Sequence, residues 1–173
     1  MSRQAGAQAA SGRDWESLAR AARTGGDAAE APQVVCELLV FRLGDSPYAI
    51  PVGRVREIVR MRAMTPMPRV PREVRGVITL RGEVVQVVDL RMRLALDVRE
   101  IGRRTRIIVL HGDDDRVTGI LVDAVQEVMR VPEEDVRPAT GGEGDAVSGL
   151  FLSGNEFVSI LDLDRVLDFH GTN

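Results

Sequence analysis

Gly76-Val-Ile-Thr-Leu-Arg-Gly-Glu-Val-Val-Gln-Val-Val-Asp-Leu-Arg-Met-Arg-Leu94 has a partner 73 residues downstream. That partner is Gly149-Leu-Phe-Leu-Ser-Gly-Asn-Glu-Phe-Val-Ser-Ile-Leu-Asp-Leu-Asp-Arg-Val-Leu167. Gly76, Glu83, Val85, Asp89, Leu90 and Leu94 match Gly149, Glu156, Val158, Asp162, Leu163 and Leu167. Each copy reads as an apolar strand, a glycine-containing turn and a second strand, which is a β-hairpin. Each then ends in Asp-Leu and a short helical pattern. Asp89 and Asp162 are read as N-caps whose carboxylates accept first-turn amide hydrogens. Upstream, Val55-Arg-Glu-Ile58 matches Val125-Gln-Glu-Val128 at an offset of 70. Two copies are too few for a solenoid. They predict two similar subdomains related by a pseudo-dyad.

Outward from the repeat, the chain consists of short β-branched runs bounded by Gly, Pro and Asp. Strands are predicted at 37–43, 48–52, 55–61, 77–81 and 83–88. A second set falls at 105–111, 117–122, 125–131, 147–152 and 156–161. Five-stranded sheets protect their edges by curling into small barrels. The predicted fold is therefore all-β, with five-stranded barrel subdomains at 34–97 and 98–170 and short helices after Asp89 and Asp162. Residues 1–33 are rich in Ala, Gly, Ser, Gln and Arg and nearly free of Val and Ile. They are expected to form a disordered extension. Within it, Trp15, Leu18, Ala19 and Ala22 have helical spacing, so a short helix over 15–22 is the alternative.

The 173 residues carry 23 basic and 26 acidic side chains, a net charge of −3. Every basic residue is Arg. Residues 52–81 hold eight Arg and two acids, whereas 110–173 hold four Arg and fourteen acids. Such polarity suits oriented docking to charged protein partners. No apolar run has the ~20 residues of a membrane span, and residues 1–30 lack a signal-peptide core. A cytoplasmic location is expected. The single cysteine, Cys36, excludes an internal disulfide within this sequence.

Catalytic readings find little support. A shared-proton dyad of Asp89 and Asp162 needs a tight glycine loop after each Asp. Leu-Arg-Met and Leu-Asp-Arg stand there instead. His111-Gly-Asp-Asp-Asp115 reads as a solvated turn, because adjacent Asp residues do not wrap a hard cation. No phosphate loop, HExxH or GxSxG occurs. No metal, cofactor or catalytic residue is expected. Single-strand nucleic-acid barrels stack bases on aromatics, and this chain has four Phe, one Tyr and one Trp. Nucleic acid is not an expected partner. The connector Met61-Arg-Ala-Met-Thr-Pro-Met-Pro-Arg-Val-Pro71 pairs stiff prolines with soft apolar side chains. It serves either as a docking loop or as the cap of one barrel.

These pieces in order resemble the CheW-type family of chemotaxis coupling proteins. The resemblance rests on Phe41-Arg-Leu-Gly44, Tyr48-Ala-Ile50, Val55-Arg-Glu-Ile58 and Thr65-Pro-Met-Pro-Arg-Val-Pro71. It continues through Arg75-Gly-Val-Ile-Thr-Leu-Arg-Gly82, Val87-Val-Asp-Leu-Arg91, Thr105-Arg-Ile-Ile108 and Gly119-Ile-Leu-Val-Asp123. Val125-Gln-Glu-Val128 and Ile160-Leu-Asp-Leu163 complete it. It covers roughly residues 36–168. Thr79 and Gln86 stand where the family commonly has Asn and Pro.

The resemblance implies two SH3-like barrels and a non-catalytic adaptor. Its partners would be the cytoplasmic tip of methyl-accepting receptors and the regulatory domain of a CheA-type histidine kinase. It would be recruited from the cytoplasm to membrane-associated receptor arrays without inserting into the membrane. The alternative is a module of the same fold in a motility or development pathway, or one that binds the kinase without coupling it. By the same resemblance, Val55, Glu57, Ile58, Arg81 and Gly82 face the receptor. Val55 and Ile58 read equally as barrel core, and Arg81 also reads as a hairpin-tip charge. Met61, Met64, Thr65 and Met67 are the kinase-facing candidates. Gly76, Asp89 and Asp162 are assigned structural roles, Gly76 for close backbone approach.

Overall fold

Residues 38–41 and 107–110 are apolar at every position, and both runs are buried on both faces. A strand covered on one face alternates polar and apolar; continuous apolar runs mark strands covered on both. These two strands are the centre of the molecule. The computed structural model describes residues 32–112, 116–140 and 146–169. The expected extension up to residue 31, its alternative helix over 15–22 and the turn at 113–115 lie outside the described residues.

The described chain forms eleven strands. In the first half these are β1 (Val35–Leu43), β2 (Ser46–Pro51), β3 (Val55–Arg60), β4 (Val74–Leu80) and β5 (Glu83–Asp89). The second half supplies β6 (Arg106–Leu110), β7 (Val117–Val122), β8 (Ala124–Pro132), β9 (Arg137–Pro138), β10 (Val147–Ser153) and β11 (Glu156–Leu161). The helices α1 (Leu90–Arg93) and α2 (Leu163–Val166) follow β5 and β11. Short 3-10 turns, η1 (Val52–Arg54) and η2 (Glu133–Asp135), follow β2 and β8. All ten anticipated strands are present. The two-residue β9 is the addition.

One sheet has the order β8-β1-β2-β11-β10-β9, and the other β3-β6-β7-β5-β4. The division expected at residue 97 separates the two repeats but not the two sheets. The first sheet takes β1 and β2 from the first repeat and β8, β9, β10 and β11 from the second; the other takes β3, β4 and β5 from the first repeat and β6 and β7 from the second. The parallel pairs β2–β11 and β5–β7 join the two contributions. Neighbouring strands pair with one another only about two-thirds of the time. Here η1 turns β3 away from β2 and onto β6, in antiparallel register Ile58↔Ile108.

The exchange produces three apolar cores. Leu38, Val40, Phe151 and Val158 fill the first barrel. Ile78, Val85, Ile107 and Leu121 fill the second. Between them lie Leu39, Phe41 and Leu43 of β1 with Ile108 and Leu110 of β6, closed by Leu90 of α1 and Leu163 and Val166 of α2. Alternate residues of β1 and β6 thus serve two cores at once. A sequential split would leave one face of each strand uncovered.

Asp89 caps α1 by accepting from the Arg91 amide at 3.1 Å. Asp162 caps α2 through the amides of Asp164 and Arg165. Each Asp is committed to its own cap, so the two do not form a dyad. Arg93 joins the two helices, donating to the carbonyls of Val166 and Asp168 at 2.6 and 2.8 Å.

Candidate partner-binding site

The β4–β5 hairpin turns at Arg81-Gly82, and both residues have positive φ, 50° and 83°. This is the type I′ pattern, which favours Asn or Gly at its first position because a Cβ is strained there. An arginine therefore accepts a local cost to hold its side chain at the tip. The tip reaches the opposite edge strand of its sheet. Arg81 Nη2 lies 3.2 Å from Glu57 Oε2, and Arg56 Nη2 lies 2.6 Å from Glu83 Oε2. These two ion pairs tie the sheet's edges together and complete the barrel.

Three predicted receptor-facing residues thus come together, Glu57 on β3 with Arg81 and Gly82 at the tip, while the Ile58 side chain points to the opposite face of β3. Arg81 remains 74% exposed while Glu57 is largely covered, so the arginine still presents donors outward. Ile58 is 41% exposed. Its register partner Ile108 belongs to the core between the sheets, so Ile58 stands at the margin of that core. Val55 packs against the same core and is half-buried, which makes it a support for this face.

The connector residues divide. Met61 and Met64 pack against the second barrel's core and plug its end. Thr65 exchanges two backbone hydrogen bonds of 2.9 Å with Val77. That bridge runs beside Gly76, whose φ is 142°; a Cβ there would lie 2.4 Å from the Thr65 carbonyl oxygen. Met67 is the exposed methionine of the group. Two connector methionines thus pack on the barrel while most of the loop, Met67 included, is exposed.

Two features escaped the sequence reading. The first is Arg91, which is fully buried. It donates to both Asp89 oxygens at 2.9 and 2.8 Å, to Asp123 Oδ1 at 2.7 Å and to the Arg99 carbonyl at 2.9 Å. The Asp89 hydrogen bond, opposed by burial, holds its pKa above the usual arginine value. The only signal was its place two residues after the cap. The second is the exposed pair Leu152 and Phe157, which face each other on β10 and β11 and line a cavity of about 550 Å³, with Val128 exposed separately on β8. Val128 and Phe157 are the repeat equivalents of Ile58 and Val84, themselves exposed. Aligning outward positions between repeats would have revealed it.

The family model described as the CheW-like domain matches residues 37–170. The chain belongs to the CheW-like family. It is 35% identical over 134 residues to the chemotaxis protein CheW of Rhizobium meliloti, covering 75% of this chain and 86% of that one. Protein FrzA of Myxococcus xanthus is 36% identical over 137 residues, covering 76% and 84%. The crystal structure of the scaffolding protein TtCheW from Thermoanaerobacter tengcongensis matches with a TM-score of 0.73 at 27% identity, covering 80% and 97%. In this CheW-like chain no described helix is long and apolar enough to cross a membrane. Among the described residues no group of three His, Cys, Asp or Glu is arranged to hold a metal.

Proposed function

We propose that this CheW-like chain is a non-catalytic scaffold that couples methyl-accepting receptors to a CheA-type histidine kinase in a chemosensory array. The observation that carries the reading is the Arg81–Glu57 contact at 3.2 Å, which joins two motifs distant in sequence at the edge strand that also carries the exposed Ile58. A receptor helix would bury its apolar side on Ile58 and accept charge-assisted hydrogen bonds from Arg81. The kinase's regulatory domain would meet a separate surface that includes Met67. Met61, Met64 and Thr65 would shape that surface from beneath.

The test is autophosphorylation of the cognate kinase with receptor-tip fragments, with and without this protein. Stimulation is expected to require it and to fall at least tenfold with Arg81→Glu, the size of a lost charge-assisted pair plus the repulsion that replaces it. Kinase binding without stimulation would favour a sequestering role. Binding to neither partner would refute the assignment.

A further inference from the structure

Several surface arginines pair with carboxylates, as at Arg42–Glu156, Arg54–Asp164, Arg56–Glu83 and Arg130–Glu37. At one place two arginines instead face each other across a strand pair. Arg60 at the end of β3 stands directly opposite Arg106 at the start of β6 in antiparallel register. Like charges facing each other across a strand pair repel. Arg103 and Arg104 lie in the turn just before β6. Among the described residues Arg60, Arg103 and Arg104 form no ion pair, and Arg106 donates to the carbonyls of Arg103 and Thr105. A cavity of about 380 Å³ is lined by Arg60, Met61, Gly102, Arg103, Thr105 and Arg106, without a carboxylate.

We propose that Arg60 and Arg106, with Arg103, bind the carboxylates of an acidic helix that lies along β3. The proposal rests on reading this face as receptor-facing and states what the receptor must bring. The pleat puts Arg60 on the same face as Ile58, two residues and about 6.6 Å further along. One turn of helix advances about 5.4 Å. A helix whose apolar residue covers Ile58 thus sets a residue three or four positions away over the arginine pair. Asp or Glu at that position removes the repulsion stored in the free protein. The exposed isoleucine beside the cations, the absence of an aromatic side chain lining the cavity and the net charge of −3 favour a protein helix over a nucleic acid.

The experiment compares the full chain with Arg60→Gln, Arg106→Gln, the double variant and Arg81→Glu. It reads binding of an acidic receptor-tip fragment and the melting temperature of the free protein. The double variant is expected to bind about tenfold more weakly at low salt, with the difference closing near 0.5 M salt. Each single Gln variant is expected to melt higher than wild type, because half of the repulsive pair is gone. Stability and affinity then move in opposite directions, which a purely structural role does not produce. Unchanged binding in the double variant, with binding lost in Arg81→Glu, would overturn this site and leave the scaffold reading standing. Unchanged binding in both would overturn the receptor-facing reading itself. A lower melting temperature in both single variants would make the pair structural. Salt-steep binding of a single-stranded oligonucleotide, lost in the double variant, would replace the helix with a nucleic acid.

Discussion

At the end of the first repeat, Asp89 caps its helix from a site closed to water, and Arg91 lies buried against it. At the end of the second, Asp162 caps its helix from the surface, and Arg165 approaches it at 3.4 Å while 59% exposed. The local motif is the same, yet only the first has become a tie between elements. Through Arg91, Asp89 is linked to Asp123, whose other oxygen accepts from the Gly44 amide of the β1–β2 turn at 2.6 Å. One guanidinium thereby connects both sheets. Burial of these charges is tolerable because their polar atoms are satisfied; among the described residues no buried side-chain nitrogen or oxygen lacks a partner. A repeat thus copies a cap, while its surroundings decide whether the cap holds two barrels together.

The sharpest test of that contrast removes the two arginines in turn. Arg91→Met leaves the Asp89 carboxylate buried without its cation and is expected to cost about 3–5 kcal/mol in urea unfolding. Arg165→Met is expected to cost less than about 1 kcal/mol. Equal losses would break the comparison.

The paired glycines come next. Gly76→Ala drives a methyl into the Thr65 carbonyl at a backbone angle that L residues avoid, and about 2–3 kcal/mol of stability should be lost. Gly149→Ala meets Arg137 O and Val136 Cγ1 at 3.1 Å without a left-handed backbone, so about 1 kcal/mol is expected. Equal melting temperatures for these two variants would show that the Thr65 bridge is dispensable.

The smallest effect separates the two hairpin tips. Gly154, at φ 61°, occupies the position where the first repeat has Arg81. Arg81→Asn should raise stability by about 0.5 kcal/mol while abolishing kinase stimulation, because Asn suits the turn and lacks the cation. Gly154→Ala should lower stability by about 1 kcal/mol. A less stable Arg81→Asn would mean that the Glu57 pair outweighs the backbone strain.

Much of this was legible beforehand for identifiable reasons. Runs of Val, Ile and Leu reveal strands because burial demands them, and the repeat revealed a pseudo-dyad. Asp-Leu before a helical pattern revealed both caps, since capping is local chemistry. Arg81-Gly82 was legible as a turn, but its contact with Glu57 crosses from one sheet edge to the other. For Met61 and Met64 a docking and a capping role both stayed open, because no periodicity in a proline-rich loop says which way they point. Arg60 and Arg106 were only part of a basic stretch until the register set them face to face.

The sequence by itself determined the strands, the hairpins, the caps and the family, all of which depend on neighbours within a few residues or on ordered motifs. Only the tertiary structure decided which strands share a sheet, that Arg91 is a buried tie, and that Arg60, Arg103 and Arg106 line one cavity without a carboxylate. Those outcomes depend on pairing between distant segments. They were settled by covering both faces of β1 and β6, a requirement that no local stretch of sequence expresses.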